Sequence, residues 1–221
     1  MSFIKLLDTK LLLWLNGFTG HNIWFDKVIG GLASETPPYL LVMLVLIFLF
    51  FYPHAQKISS PETEVESVKK VNFFKKLYHL WLGVGVYPYI KELPTLYERR
   101  RMVVWASICG IFSRLFFIPI IRFILPRIRA YEYLPVHLIG SQDGASSFPS
   151  GHATFFFAVA FMVYYFDKKL GYVFLSGALL VGLARVVAGI HFPLDIIAGA
   201  LLGWAIALIL KHFFIRFKFR G

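Results

Sequence analysis

Long apolar runs separated by short polar segments most constrain what this chain can fold into. A helix needs about 20 mostly apolar residues to cross the hydrocarbon core of a bilayer. Only 16% of the residues are charged and 58% are hydrophobic, which is outside the usual range of soluble domains. The sequence therefore predicts an all-α, polytopic transmembrane bundle, a single domain over residues 1–221. The five predicted spans are residues 38–52 (counted back into 27–33), 102–125, 152–166, 170–188 and 194–214.

An amphipathic helix is predicted at the N-terminus, before the first span. Its apolar residues recur at helical spacing, and its polar residues fall largely on another face. This pattern is typical of a helix that lies in the membrane interface, and an ordinary bundle helix packed on the spans is the alternative. The apolar face comprises Phe3, Leu7, Leu11, Trp14 and Phe18, and the polar face comprises Lys5, Asp8, Thr9 and Asn16.

An insertion at residues 54–100 separates the first two spans. Its first part is charged and reads as a solvated linker. Residues 73–90 are aromatic and partly apolar, but Lys75, Lys76, His79 and Pro88 interrupt them. We therefore expect this stretch to lie on the membrane rather than through it.

The formal net charge of +11 indicates how the chain is oriented. Nine basic residues lie between the first and second spans, two between the third and fourth, and four in the C-terminal tail. With five spans these segments share one side, which the positive-inside rule assigns to the cytoplasm. The basic excess thus reflects topology in a cytoplasmic (inner) membrane, with a cytoplasmic C-terminus, and not nucleic-acid binding. The loop at 126–151 and the turn at 189–193 then face outward.

Several arginines lie on the predicted outer face, against the positive-inside bias, among them Arg122, Arg127, Arg129 and Arg185. Ser150 is a good N-cap, and Gly151 lets a ligand approach the backbone, so a helix that begins there would present free amide groups to an anion. Arginine stays charged and its fork suits phosphate oxygens. The outer face is therefore predicted to bind a phosphate group. Snorkelling to lipid head groups is the alternative for Arg122, Arg127 and Arg129, and it is the favoured role for Arg127.

Two histidines and an aspartate accompany these arginines. His152 and His191 fit a nucleophile and a general acid, provided that their protonation states differ. Asp195, four residues after His191, can fold back to fix the tautomer of that ring. A helix cap and an interfacial histidine are the structural alternatives for these groups. A single cysteine, Cys109, excludes a disulfide framework and a cysteine-rich metal site.

Three motifs in these segments resemble those of the type 2 phosphatidic acid phosphatase superfamily. Ala130 and Ala184 stand where the superfamily pattern has proline and serine, and the charged and nucleophilic groups are intact. The matching motifs are Arg122-x6-Arg129, Pro149-Ser150-Gly151-His152 and Arg185-x5-His191-x3-Asp195.

The resemblance implies a metal-independent phosphatase that works through a phosphohistidine, without a cofactor. It assigns His191 as the nucleophile, Asp195 as the group that orients it, and His152 as the general acid and then base. Arg114 and Arg127 match no motif position, which leaves structural support or substrate entry for them. The phosphate-binding residues implied are Arg122, Arg129, Ser150, Gly151 and Arg185.

The N-terminal segment and first span look like those of the small bacterial undecaprenyl-diphosphate phosphatases. The resemblance implies a lipid phosphate or diphosphate substrate in the bilayer, and undecaprenyl diphosphate is the leading expectation. Phosphatidylglycerophosphate, phosphatidate and a lipid A phosphate are alternatives of the same class. An anion or lipid transporter and a non-catalytic lipid-binding protein are alternatives of other classes. A vanadate haloperoxidase is disfavoured by the five predicted spans.

Overall fold

The computed structural model describes residues 3–34, 36–51, 93–140 and 146–218, and this part of the chain contains helices and loops but no strand. The predicted all-α class is confirmed. A π-helical segment, Ser113–Phe117, joins α4 to α5, and a 3₁₀ turn, Ala130–Glu132, follows α5. The α-helices are α1 (Phe3–Asn16), α2 (Ile23–Ala33), α3 (Thr36–Phe51), α4 (Leu93–Phe112), α5 (Ile118–Ile124), α6 (Gly151–Phe166), α7 (Lys168–Val187) and α8 (Pro193–Lys218).

Within the described ranges, three helical stretches are long and apolar enough to cross a bilayer. They are Glu98–Ile124, Lys168–Val187 and Pro193–Phe213. The pair formed by α2 and α3 counts as a fourth span if its bend is included, and α6 is an apolar helix of 16 residues. The predicted polytopic architecture is thereby confirmed.

The first two spans differ from their predicted outlines. The first is broken into α2 and α3, which are bent by 61° relative to each other. Pro37 and Pro38 belong to the first turn of α3, where proline is tolerated because the N–H groups there have no partner within the helix. Helix α4, which corresponds to the second predicted span, begins at Leu93, nine residues before the predicted start. The predicted linker and the interfacial stretch at 73–90 lie outside the described residues.

Helix α6 is the centre of the bundle and packs against α4, α7 and α8. Small residues on α8 allow the two backbones to approach closely. A Cβ atom added to Gly203 would lie 2.6 Å from the carbonyl oxygen of Thr154, and one added to Gly199 would lie 2.9 Å from that of Ser150. This Gly-x-x-x-Gly contact places the N-terminal ends of α6 and α8 side by side.

Helix α1 forms as predicted, with its polar stripe facing the protein. Asp8, Leu12 and Asn16 are buried, whereas the predicted apolar face is exposed at the perimeter of the bundle. The Asn16 amide donates hydrogen bonds to the carbonyl oxygens of His137 at 2.9 Å and Val187 at 2.8 Å. The polar side of α1 thus packs on α7 and α8, as in the alternative of a bundle helix, while its apolar face is exposed.

The three predicted functional segments meet at one end of the bundle. Helices α6, α7 and α8 follow one another through short connections, so the start of α6, the end of α7 and the start of α8 lie together. Lys168 and Lys169 begin α7 at the opposite end. These two lysines and the candidate site are thus separated by the length of α7.

Candidate active site

The N-terminus of α6 forms one wall of the site. The Ser150 hydroxyl accepts a hydrogen bond from the backbone N–H of Ala153 at 3.4 Å, so the predicted helix cap is confirmed. The Ser150 N–H donates to the backbone carbonyl of Asp195 at 3.1 Å. This bond ties the first turn of α6 to the first turn of α8 and brings their polar side chains into one space.

His191 lies between a carboxylate and a guanidinium. Its Nδ1 is 3.4 Å from Oδ2 of Asp195, and its Nε2 is 3.4 Å from Nη2 of Arg185. Asp195 Oδ2 also accepts the N–H of Phe192 at 3.0 Å. These side chains are buried, so the ring is held on both sides away from bulk solvent.

This geometry selects one tautomer of the His191 ring. A guanidinium has only donors, so Nε2 must face Arg185 with its lone pair. The proton of the neutral ring then lies on Nδ1, facing Asp195. The Nε2 lone pair therefore lies beside a permanent positive charge, which would attract an anionic group.

Arg185 is fixed by the break between α2 and α3. Its Nη1 donates to the backbone carbonyl of Ala33, in the last turn of α2. Carbonyl groups at the end of a helix have no partner within the helix and are free to accept. The broken first span therefore positions the arginine that faces His191.

His152 lies at the second position of α6 and is buried. Its ring centroid is 4.8 Å from that of Tyr39, and its Nε2 has no hydrogen-bond partner among the described residues. Arg185, Arg114 and His191 lie within electrostatic range of it. The Nε2 atom of His152 is thus available to a ligand, close to positively charged arginine side chains.

Arg114 is a member of the site that the motifs do not indicate. The π-helical segment carries it, and a Cβ atom at Gly151 would collide with its Nη1. The space over Gly151 is thus occupied by a guanidinium at the N-terminus of α6. One sequence signal could have indicated it, since a charge inside an apolar span is frequently functional.

Arg122 and Arg129 contact the segment that leads into α6. Arg122 Nη2 donates to the carbonyl oxygen of Pro149 at 3.4 Å, and Arg129 Nη2 donates to that of Ser146 at 3.1 Å. Arg129 is buried. Both arginines lie at the end of the bundle that holds His152 and His191, and their phosphate-binding role stays a prediction.

The expectation that Arg127 snorkels to lipid head groups is wrong. Its Nη1 lies 2.6 Å from Oδ1 of Asp195, and its Nη2 lies 2.6 Å from Oδ2 of Asp8. Two buried carboxylates attract the guanidinium more strongly than a solvated head group would, because the interior screens charge less than water. Arg127 therefore belongs to the candidate site.

The described residues contain no group of three or more His, Cys, Asp or Glu side chains that could hold a metal ion. The positive charge at this end of the bundle comes from arginine side chains. The predicted metal independence stays a prediction.

Comparison with known proteins identifies the family. The model of the PAP2 superfamily matches residues 39–219. The chain is 35% identical over 133 residues to a protein of Bacillus licheniformis named bacitracin transport permease protein BcrC. That match covers 60% of this chain and 63% of the relative, so it spans less than two thirds of the relative's length.

Two further proteins are similar over more of the chain. An undecaprenyl-diphosphatase of Sulfolobus acidocaldarius is 25% identical over 178 residues, which cover 75% of this chain and 86% of that protein. The crystal structure of Aquifex aeolicus LpxE superimposes with a TM-score of 0.60 at 20% identity. It covers 92% of this chain and 93% of that chain, and indicates a shared fold.

Proposed function

This chain belongs to the PAP2 superfamily, as its motifs predicted, and on that premise we propose that it is a membrane phosphatase that hydrolyses a lipid phosphate or diphosphate. The observation that carries the proposal is the placement of His191. Its Nδ1 faces Asp195 and its Nε2 faces Arg185, each at 3.4 Å. A nucleophile, its orienting carboxylate and a phosphate-binding cation are thus assembled within one buried space.

In the first step, Nε2 of His191 attacks the terminal phosphorus of the substrate. A phosphorus–nitrogen bond forms, and the bond to the leaving oxygen breaks. Once the negative charge of the bound substrate offsets the arginines around it, His152 is protonated and donates a proton to that oxygen, so the lipid leaves as an alcohol or a monophosphate. Asp195 stabilises the positive charge that develops on the His191 ring.

In the second step, water hydrolyses the phosphohistidine. His152, now neutral, accepts a proton from the water as its oxygen attacks phosphorus. The phosphorus–nitrogen bond breaks, His191 regains its lone pair, and inorganic phosphate leaves. Both histidines return to their starting states, so the cycle consumes one water molecule.

The phosphoryl oxygens are bound by arginine side chains and by the N-terminus of α6. Arg185 is adjacent to His191, and Arg114 lies over Gly151. Arg122, Arg129 and the Ser150 and Gly151 positions complete the set that the motifs imply. Preorganised donors of this kind stabilise the charge of the transition state without the help of a metal ion.

Undecaprenyl diphosphate is the proposed substrate. One relative is named for hydrolysis of this lipid diphosphate. The motifs bind the phosphoryl group and do not select the tail, so phosphatidylglycerophosphate, phosphatidate and lipid A phosphate are the competing substrates. A chain with several membrane-spanning helices can draw any of them from the bilayer.

We place the site on the outer side of the cytoplasmic membrane. Lys168 and Lys169 lie at the end opposite the candidate site, and the positive-inside rule assigns that end to the cytoplasm. Reporter fusions within residues 54–91 and at the C-terminus should both report a cytoplasmic location. A fusion found outside would overturn this orientation.

Transport is the second candidate function, because one relative is named a transport permease. An anion path requires arginines but does not require a histidine oriented by a carboxylate. The His191–Asp195 pair therefore favours hydrolysis.

Phosphate release by the detergent-purified protein tests the proposal. The panel contains undecaprenyl diphosphate and the three competing lipids, with EDTA present throughout. We expect hydrolysis in EDTA, fastest with undecaprenyl diphosphate, and none from the His191→Ala variant. Activity that needs added metal, or that persists in this variant, would overturn the mechanism. A preference for another lipid would change the substrate only.

A further inference from the structure

A chain of charged contacts extends from the candidate nucleophile to the N-terminal helix. Asp195 directs Oδ2 toward His191 and Oδ1 toward Nη1 of Arg127, at 2.6 Å. The other terminal nitrogen of Arg127, Nη2, donates to Oδ2 of Asp8, also at 2.6 Å. One guanidinium therefore joins two carboxylates that are 187 positions apart in the sequence.

Asp8 has a second contact with the same region. Its Oδ1 accepts the backbone N–H of Leu194 at 2.9 Å, in the first turn of α8. The Asp8 and Asp195 side chains are 1% and 0% exposed, whereas that of Arg127 is 21% exposed. Helix α1 is thus connected to the start of α8 both directly and through Arg127.

The surroundings of Arg127 fix both its charge and its plane. Burial favours the neutral form, but Asp195 and Asp8 outweigh that effect and raise the pKa of Arg127 above its ordinary value. Its guanidinium also lies over the ring of Phe192, 3.9 Å from the centroid. A planar fork can bridge two carboxylates at once, whereas the single ammonium of a lysine is a poor substitute.

We propose that Arg127 and Asp8 are positioning residues that hold the Asp195 carboxylate in the orientation that fixes the His191 ring. The inference rests on the proposed function, since it assigns a role in the same reaction. Both terminal nitrogens of Arg127 are engaged by carboxylates, so its role is distinct from that of a phosphate ligand. Asp8 lies outside residues 39–219, the part that the family model matches, and its role comes from the structure of this chain.

The test measures kcat and KM for hydrolysis of undecaprenyl diphosphate by the full-length protein. Loss of a group that orients a metal-binding histidine costs about 10- to 100-fold in activity, and we expect a similar loss for a group that orients a catalytic carboxylate. We expect this loss in kcat for Arg127→Gln with KM changed less than about twofold, because an interaction absent from substrate binding affects kcat alone. Arg127→Lys should recover part of the loss by restoring the charge.

Asp8→Asn keeps the acceptor for Leu194 but removes the charge that faces Arg127. Because it acts through Arg127, we expect a smaller decrease in kcat, about 3- to 10-fold, and no further loss when it is added to Arg127→Gln. Asp26→Asn is the matched control. That carboxylate accepts only the N–H of Gly20 among the described residues and should leave kcat unchanged.

Three results would overturn the positioning role. They are an Asp8→Asn variant as active as Asp26→Asn, an Arg127→Gln variant with raised KM and unchanged kcat, and losses that multiply in the double variant. A wild-type protein that hydrolyses none of the lipids would overturn the proposed function instead. The two failures are therefore distinguishable.

Discussion

The candidate site has two halves that are built in different ways. The C-terminal half consists of Arg185, His191 and Asp195, which lie within eleven consecutive residues, from the last turn of α7 to the first turn of α8. The N-terminal half consists of Asp8, Arg114 and Arg127, which come from α1, the π-helical segment and the loop after α5. The first half is local in sequence, and the second depends on tertiary packing.

The half whose residues are close in sequence has the longer contacts, and the half whose residues are far apart in sequence has the shorter ones. The contacts of His191 in the C-terminal half are 3.4 Å long, whereas both ion pairs of Arg127 are 2.6 Å long. Catalytic hydrogen bonds are often long before substrate binds and shorten in the reacting complex. The difference follows from charge, since both partners in the Arg127 contacts are ionised, whereas the His191 ring is neutral in the tautomer described above.

The largest expected effect lies in the C-terminal half. Asp195→Asn preserves the shape of the side chain but removes the charge that keeps the His191 proton on Nδ1. We expect kcat to fall by about 10³- to 10⁴-fold, as in a histidine held in the wrong tautomer. Steady-state phosphate release measures this, with circular dichroism as the control for folding. A decrease of less than tenfold would contradict the orienting role of Asp195 and the larger weight of the C-terminal half.

A smaller effect is expected from Arg114 in the N-terminal half. Arg114→Gln removes a charged donor at the start of α6, and loss of one such donor costs about 10²- to 10³-fold in kcat. Gly151→Ala should also impair activity, because its Cβ would displace the guanidinium.

The double variant separates these two effects. If Gly151 serves to accommodate Arg114, then Gly151→Ala should cost little more once Arg114 is already glutamine. Independent losses would show that Gly151 contacts the substrate itself, as the motif resemblance implies. Rates of phosphate release from the two single variants and the double variant decide between these outcomes.

The smallest effect on chemistry is expected away from both halves, where α8 packs on α6. A Cβ at Gly203 would lie 2.6 Å from the backbone of Thr154, so Gly203→Ala should destabilise the fold by about 1–3 kcal/mol through overpacking. Gly177→Ala is the control, because its Cβ would meet no atom within 4 Å. Thermal unfolding in detergent should show a lower Tm for the first variant only. An equal Tm would contradict the close helix contact.

The same comparison shows how much the sequence could predict. His191 and Asp195 are four residues apart at the start of a helix, so their contact follows from local geometry. The Ser150 cap is local too, and the apolar runs predict the spans because lipid requires internally bonded backbone. The fold class and the core of the site were therefore accessible from the sequence.

The N-terminal half of the site could not be predicted from the sequence. Asp8 and Arg127 are 119 positions apart, and no periodicity links them. The position of Arg114 depends on a π-helical segment that propensity does not indicate. In the C-terminal half, the contact of Arg185 with the carbonyl of Ala33 could not be predicted either, because it depends on the break in the first span. Long-range charge pairing overrode the local expectation that Arg127 would reach toward lipid.

The central claim is that His191 becomes phosphorylated during hydrolysis. A rapid-quench experiment with substrate labelled in the terminal phosphate tests it, using wild type, His152→Gln and His191→Ala. We predict that label attaches to His191 in an acid-labile, base-stable form. It should be absent from His191→Ala, and His152→Gln should slow both its formation and its hydrolysis, because His152 acts in both steps. Label on another residue, or turnover by His191→Ala, would contradict the account.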